Sequence, residues 1–185
     1  MRNVRQLGLA LVTVCAMSAL IVSSAAAHPE FLASAAGLAL TGKATETQVF
    51  KTKFGNVECT ALTVSGTTGA TRSLDQHVTV VYSKCKAFGL AAVITPALYL
   101  FLSLHFVHVQ KPITITATGC VLTVKPQTVG TVAFTTVGSE LLITPSVTGI
   151  AYEGTGSACS GSAKDGTYAG TSLVSAIGGS IGWME

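Results

Sequence analysis

The first residues that could carry chemistry are two histidines in the segment His105-Phe106-Val107-His108. On a helix, residues three apart share one face, and the two imidazoles could then bind the same metal ion. The surrounding sequence is apolar and lacks a helical signature, and on a strand residues three apart point to opposite faces. The sequence therefore predicts no metal site at these histidines, and it predicts no cofactor.

A third histidine, His77, follows Asp75-Gln76, and a carboxylate so placed could polarise the imidazole as a general base. The residues around it are typical of the surface of a strand edge, which favours a solvated histidine. Five acidic side chains stand singly along the chain, namely Glu58, Asp75, Glu140, Glu153 and Asp165. Two carboxylates from distant strands could still assemble a glycosidase pair.

Sequence motifs of the common catalytic sites are missing. The chain contains no G-x-S-x-G nucleophile elbow, no G-x-x-x-x-G-K-[ST] phosphate loop and no H-E-x-x-H zinc motif. We therefore expect no catalytic residues and no enzyme activity.

Five cysteines occur, of which Cys15 lies in a segment that we expect to be removed. An even number of cysteines in an exported chain indicates two disulfides. The absence of a C-x-x-C pair argues against a structural zinc site. Four cysteines allow three pairings, and the sequential one closes the shorter loops. The cysteines concerned are Cys59, Cys85, Cys120 and Cys159.

The N-terminus has the order of a secretory signal peptide, with two arginines in residues 1–5, an apolar run over 7–22 and small residues over 23–27. We expect cleavage after Ala27 and secretion of the mature chain. The alternative is a retained anchor helix, for which the run is short, because a bilayer needs about 20 residues. Cleavage leaves 185 − 27 = 158 residues, which we divide into a flexible leader over 28–42 and one domain over 43–185.

The chain carries few charges. Only 10% of its residues are charged, against roughly 25% in an ordinary soluble domain. The formal net charge is +3, and loss of Arg2 and Arg5 reduces it to 9 − 8 = +1. Such a chain has no field to attract nucleic-acid phosphates or an anionic membrane surface, so nucleic-acid binding is excluded.

Short alternating runs recur about every 8–12 residues between Gly, Pro, Ser and Asp breaks, and Ile113-Thr114-Ile115-Thr116 is the clearest of them. Abundant Thr and Val also favour strands. The sequence predicts an all-β fold, a single antiparallel β-sandwich of the Ig-like or Greek-key type with about nine or ten strands, preceded by a signal-peptide helix. The expected core includes Ile113, Ile115, Leu122, Val124, Val132 and Phe134.

Residues 90–109 are the most apolar part of the chain beyond residue 27, and they match the length of a membrane span. Pro96, His105 and His108 argue against a membrane helix, since the imidazoles are costly in hydrocarbon. Divided into strands at Pro96, the segment has two largely apolar faces, as in a strand covered on both sides. We expect buried strands here and no membrane span after cleavage.

Four stretches together form a distinctive pattern: Phe54-Gly55-Asn56-Val57-Glu58-Cys59, Val80-Val81-Tyr82-Ser83-Lys84-Cys85-Lys86-Ala87-Phe88-Gly89-Leu90, Cys120-Val121-Leu122-Thr123-Val124-Lys125-Pro126-Gln127 and Asp165-Gly166-Thr167-Tyr168-Ala169-Gly170. With the motif Tyr-x-x-Cys-x-Ala-Phe-Gly as their most specific part, they resemble a group of uncharacterised secreted proteins from soil actinobacteria. The resemblance covers about residues 43–176. It implies a secreted, all-β, disulfide-containing domain and no known activity, ligand or partner.

The resembling proteins carry a further cysteine pair flanking the segment that is 97–108 here, and this chain lacks both cysteines. Their joint absence implies that the extra pair bonds with itself. The resemblance thereby implies the bridges Cys59–Cys85 and Cys120–Cys159.

For function, the missing catalytic signatures favour a non-catalytic extracellular or cell-surface protein with a structural or adhesive role. Its partners would be cell-envelope or matrix components, or further copies of the chain. The alternative is an extracellular binding module for an apolar or carbohydrate ligand, and a secreted hydrolase is less favoured. An apolar pocket near Tyr99, Phe101 and His105 with convergent polar groups would favour the binding module, and a solid core would exclude it.

Overall fold

The computed structural model describes residues 28–185, which form seventeen strands. The expected signal peptide over residues 1–27, with its helix, lies outside the described residues. The strands are β1 (Glu30–Ala33), β2 (Ala39–Ala44), β3 (Gln48–Thr52), β4 (Gly55–Thr67), β5 (Arg72–Ser73), β6 (Asp75–Ala87), β7 (Leu90–Ile94), β8 (Ala97–Leu102), β9 (Phe106–Val109), β10 (Ile113–Ala117), β11 (Cys120–Val124), β12 (Gln127–Gly130), β13 (Val132–Val137), β14 (Glu140–Thr155), β15 (Gly161–Ala169), β16 (Ser172–Ala176) and β17 (Ile181–Met184).

The strands form one large sheet of fourteen strands and a small sheet with the order β17-β1-β5. Every pair is antiparallel. This confirms the predicted all-β, antiparallel fold and is consistent with a β-sandwich. The strands outnumber the expected nine or ten because turns and bends divide several apolar runs into short strands.

Three long strands hold the large sheet together by pairing with different neighbours along their lengths. The 13-residue strands β4 and β6 pair with each other, and β6 also pairs with β8 through its first half and with β7 through its end. The 16-residue strand β14 pairs with β13 and β16 at its start and with β15 and β11 farther on. The pairings β3-β4-β6-β7-β10-β11-β14-β15 return to β3, so eight strands form a closed circuit.

The core lies on the inward side of these strands. All six residues that the alternation places in the core are at most 7% exposed, which confirms that prediction. Leu122 and Val132 are completely buried. At one end, Phe31 of the small sheet packs with ring centroids 4.9 Å from both Phe134 and Trp183.

The expectation of a flexible leader over residues 28–42 is wrong. Residues 30–33 pair with β17 and β5, and β2 pairs with both β4 and β16. Phe31 is 3% exposed and Leu40 is 4% exposed. The segment lacks a clear apolar period, but strand pairing and these two anchors bind it to the rest of the domain.

Residues 90–109 form strands, as expected, and Pro96 separates β7 from β8. The expected burial of both faces is wrong for β7, where Leu90 is 48% exposed and Val93 is 75% exposed because one face of this strand has no covering layer. The alternation does not continue unbroken to Val107, because residues 103–105 form a turn before β9. His105 in this turn has a left-handed backbone with φ of 64°. Across residues 28–185, no helix is long and apolar enough to span a membrane.

Two disulfides are present, Cys59–Cys85 and Cys120–Cys159, and these are the bridges that the resemblance implies. Cys59 and Cys85 lie opposite each other on β4 and β6. Cys120 begins β11, and Cys159 lies between β14 and β15, so this bridge holds a segment without strand pairing against the sheet.

Candidate functional site

The inward faces of the strands line a cavity of about 120 Å³. Aliphatic and aromatic side chains form most of its wall, including Phe50, Val64, Val80, Ile115 and Val147. The lining residues are all uncharged, and each is buried or half-buried. Apolar cavities of about 150 Å³ stay dry and bind molecules of the size of benzene, so this cavity is close to the size that holds one small ring.

Polar side chains from four strands reach the same cavity. Tyr82 of β6 faces inward in step with Val78 and Val80, and Tyr99 of β8 does so between Ala97 and Phe101. Tyr168 of β15 stands opposite Phe50 of β3, two residues beyond Gln48. The three tyrosines are half-buried although their positions face inward, as expected for side chains with free surface toward a cavity.

These four side chains form one continuous chain of hydrogen bonds. The hydroxyl oxygens of Tyr99 and Tyr82 are 3.0 Å apart, and those of Tyr82 and Tyr168 are 3.2 Å apart. The Tyr168 hydroxyl donates to Oε1 of Gln48 over 2.6 Å. We call this set of residues the tyrosine chain: Tyr99, Tyr82, Tyr168 and Gln48.

Gln48 anchors the tyrosine chain at one end and is only 2% exposed. Its Nε2 donates to the backbone oxygen of Glu46 over 2.9 Å and to that of Thr171 over 3.0 Å. A Cβ at Gly170 would lie 2.4 Å from Oε1 of Gln48, so glycine there makes room for the amide. The buried polar groups of Gln48 therefore all have partners, as burial requires.

Burial raises the pKa of Tyr82, Tyr99 and Tyr168, because an apolar site disfavours the phenolate. For Tyr82 and Tyr99 the neighbouring phenol raises the pKa further. The pKa of Tyr152 is also raised, mainly by desolvation. All four tyrosines of the protein therefore have a pKa above that of free tyrosine in the folded state.

We expect the free energy of unfolding to fall as the pH rises above about 10, the pKa of free tyrosine. The unfolded chain releases phenolic protons there while the folded chain retains them, so the unfolded state is favoured. Ultraviolet absorbance should show phenolate only together with loss of the native circular dichroism. A reversible titration of phenols near pH 10 in folded protein would contradict this, and protein in guanidinium is the control.

The two histidines considered in the sequence as a metal pair, His105 and His108, lie in different surroundings. His105 does not line the cavity. Its Nδ1 lies 2.8 Å from the backbone oxygen of Val132, and its ring stacks on Phe134. His108 Nδ1 lies 2.9 Å from Oγ1 of Thr128. Residues 28–185 contain no cluster of three or more metal-ligating side chains.

His77 lies exposed on β6, and the carboxylate of Asp75 contacts Ser73. The other scattered acids have separate surroundings: Glu153 pairs with Lys125 at 3.0 Å, and Asp165 accepts from the Tyr152 hydroxyl over 2.7 Å. Glu140 accepts from the Ser175 hydroxyl, and Glu58 from the Asn56 amide. The described contacts join no two of these carboxylates.

Of the pocket residues named from the sequence, Tyr99 and Phe101 line the cavity and His105 does not. Sequence reasoning missed Gln48, Tyr82 and Tyr168 as site residues. A signal was present for two of them, because alternation puts Gln48 in step with Phe50 and Tyr82 in step with Val80. Their convergence depends on pairings between distant strands, which alternation alone does not reveal.

Comparison of the chain with models of protein families, with curated proteins and with solved structures found no match. The resemblance to secreted actinobacterial proteins therefore stays a prediction from the motifs.

Proposed function

We propose that this protein is a secreted, non-enzymatic binding protein that holds one small, largely apolar molecule in its interior cavity. The observation that carries the proposal is the cavity of about 120 Å³, with apolar walls and the tyrosine chain among its lining. At about 24 cal/mol per Å³, an empty volume of this size costs roughly 3 kcal/mol of stability. A core that served stability alone would fill it.

The same cavity favours the binding module over the structural or adhesive role that the sequence favours. A purely structural domain gains nothing from buried, uncharged polar groups around an empty space, since packed apolar side chains would stabilise it more. In a ligand site, a few polar groups in an apolar pocket orient the guest. The arrangement of the scattered carboxylates supports no hydrolytic mechanism, since each contacts a different partner.

Secretion is part of this proposal. Its support is the signal-like order of residues 1–27 together with two disulfides, which persist in oxidising compartments. N-terminal sequencing of protein from the culture medium should begin at His28. Protein found only in the cytoplasm with residues 1–27 intact would contradict it.

Toluene tests the cavity directly, because it is a single small ring with one methyl group and carries no polar group. Titration calorimetry should show one site with a Kd of about 0.1–1 mM, a range ordinary for so small a ligand. Val80→Phe should abolish binding, because Val80 lines the cavity and is 5% exposed. Val81→Phe is the matched control, since the next residue of β6 is 41% exposed on the outer side.

Absence of toluene binding to the unmodified protein would overturn the proposed function. Equal binding by V80F and V81F would place the toluene site elsewhere and overturn it as well. If V80F proves unfolded by circular dichroism, Val147→Phe on β14 provides an independent obstruction of the same cavity.

A further inference from the structure

Resting on the proposed function, we infer that the ligand carries an uncharged hydroxyl that donates a hydrogen bond to the hydroxyl oxygen of Tyr99. The ligand class is then a small phenol or aromatic alcohol. The number of hydroxyl protons along the tyrosine chain fixes this preference, starting from Gln48 at its anchored end.

The orientation of the Gln48 amide is fixed by its surroundings. Its NH₂ group donates to two backbone oxygens, those of Glu46 and Thr171. Turning the amide over would place Oε1 against both oxygens, where no donor is available. The other end of the amide, which faces Tyr168, is therefore an acceptor.

That acceptor sets the direction of every bond in the tyrosine chain. A tyrosine has one hydroxyl proton, and Tyr168 uses its proton on Oε1 of Gln48. The bond between Tyr168 and Tyr82 must then be donated by Tyr82, and the bond between Tyr82 and Tyr99 by Tyr99. The Tyr99 proton is thus engaged, and its oxygen is offered as an acceptor.

A ligand that only accepts hydrogen bonds cannot replace a donor at this position. To receive the Tyr99 proton it would have to break the bond to Tyr82, which leaves two oxygens 3.0 Å apart with no proton between them. A carboxylate fares worse, because no lining residue carries a positive charge and burial of an unpaired anion is very costly.

Ser172 also lines the cavity, and a serine hydroxyl both donates and accepts. A ligand hydroxyl is compatible with both groups, because it donates to Tyr99 and retains lone pairs for Ser172. A carbonyl ligand could use Ser172 alone. The preference for a donor therefore resides in Tyr99, and Ser172→Ala should leave it in place.

Calorimetry with toluene, phenol, benzaldehyde and benzoate tests the inference on rings of nearly equal size. Phenol should bind about tenfold or more tightly than benzaldehyde, since a buried acceptor without a donor is penalised. Benzoate should show no binding. The measurements belong at neutral pH, where phenol is uncharged.

Tyr82→Phe makes the sharper test, because it releases the Tyr99 proton. Tyr99 can then donate to a carbonyl, so the preference for phenol over benzaldehyde should fall by about tenfold. Tyr99→Phe should also remove the preference, because it weakens the binding of phenol. Toluene binding by each variant serves as the control that the cavity is intact.

The outcomes separate the two proposals. Toluene binding without a preference for phenol overturns the hydroxyl ligand and leaves the cavity as a binding site. Failure of toluene to bind overturns the proposed function itself. A phenol preference that Y82F leaves unchanged shows that Tyr99 is not the acceptor and overturns the inference.

Discussion

Replacing Cys120 and Cys159 together by alanine is expected to lower the free energy of unfolding by about 4 kcal/mol. The bridge closes a loop of 39 residues, and its loss returns the corresponding chain entropy to the unfolded state. Both cysteines are 3% exposed, so alanine is preferable to serine, whose hydroxyl would be buried. A loss of this size is a large part of the 5–15 kcal/mol typical of a domain.

Urea unfolding measures the loss, and hydrogen exchange locates it. Exchange should rise most over residues 156–160, because Cys159 lies there outside the strands. The Cys59→Ala and Cys85→Ala double variant is the matched comparison, with a loop of 26 residues and an expected loss of about 3.5 kcal/mol. There the paired strands β4 and β6 keep the segments together, so exchange should stay low locally. A loss below about 1 kcal/mol for either pair would contradict the entropic account.

Alternation predicts burial well wherever a strand has one inner and one outer face. Ile113 and Ile115 are buried while Thr116 is exposed, because β10 lies between β7 and β11 with one face on the core. The pattern fails over residues 30–44, where Phe31 and Leu40 are buried while the equally apolar Leu32 and Leu38 are only half-buried. The burial of Phe31 and Leu40 depends on strand partners more than 25 residues away in sequence, such as Trp183 and Gly66.

The motif Tyr-x-x-Cys-x-Ala-Phe-Gly acquires a physical meaning in the fold. Tyr82 joins the tyrosine chain, Cys85 forms a disulfide, and Ala87 is completely buried. Phe88 and Gly89 form the turn into β7 with φ of 56° and 82°, a backbone region that glycine adopts without strain. The motif therefore combines a turn, a bridge and a cavity residue, and only the bridge is evident from residue types alone.

The cavity could not be predicted from the sequence, because residues far apart in the chain form its lining. Gln48 and Tyr168 are 120 residues apart in sequence, and they meet because β15 pairs with β3. A polar residue at an inward position, such as Gln48, conflicts with the rule that core faces are apolar. Such local conflicts are typical of functional sites, where the fold tolerates a buried polar group for what it binds.

Gln48 is the position at which we expect the second large effect. Gln48→Leu should lower the free energy of unfolding by about 3 kcal/mol, because the Tyr168 hydroxyl and the backbone oxygens of Glu46 and Thr171 all lose their partner. The penalty should be the same at pH 4 and pH 8, since leucine does not titrate. Urea unfolding at the two pH values measures it.

Gln48→Glu has nearly the same shape and should instead make stability depend on pH. One carboxylate oxygen could accept from Tyr168, but the other would face the backbone oxygens of Glu46 and Thr171, which repel an anion. A protonated carboxyl donates there, so the pKa of this glutamate should be raised in the folded state above the value of about 4.3 in the unfolded chain.

The direction in which the stability of Q48E changes with pH follows from proton binding. Above pH 4.3 the unfolded Q48E chain releases a proton that the folded chain keeps, so the free energy of unfolding falls by up to about 1.4 kcal/mol per pH unit. The fall continues until the pH passes the folded-state pKa. Near pH 4 the variant should approach the unmodified protein, and at pH 8 it should resemble or exceed Q48L in its loss. Equal losses for Q48E at both pH values would mean that the Gln48 amide does not donate to the two backbone oxygens. The direction assigned to the hydrogen bonds of the tyrosine chain would then be wrong as well.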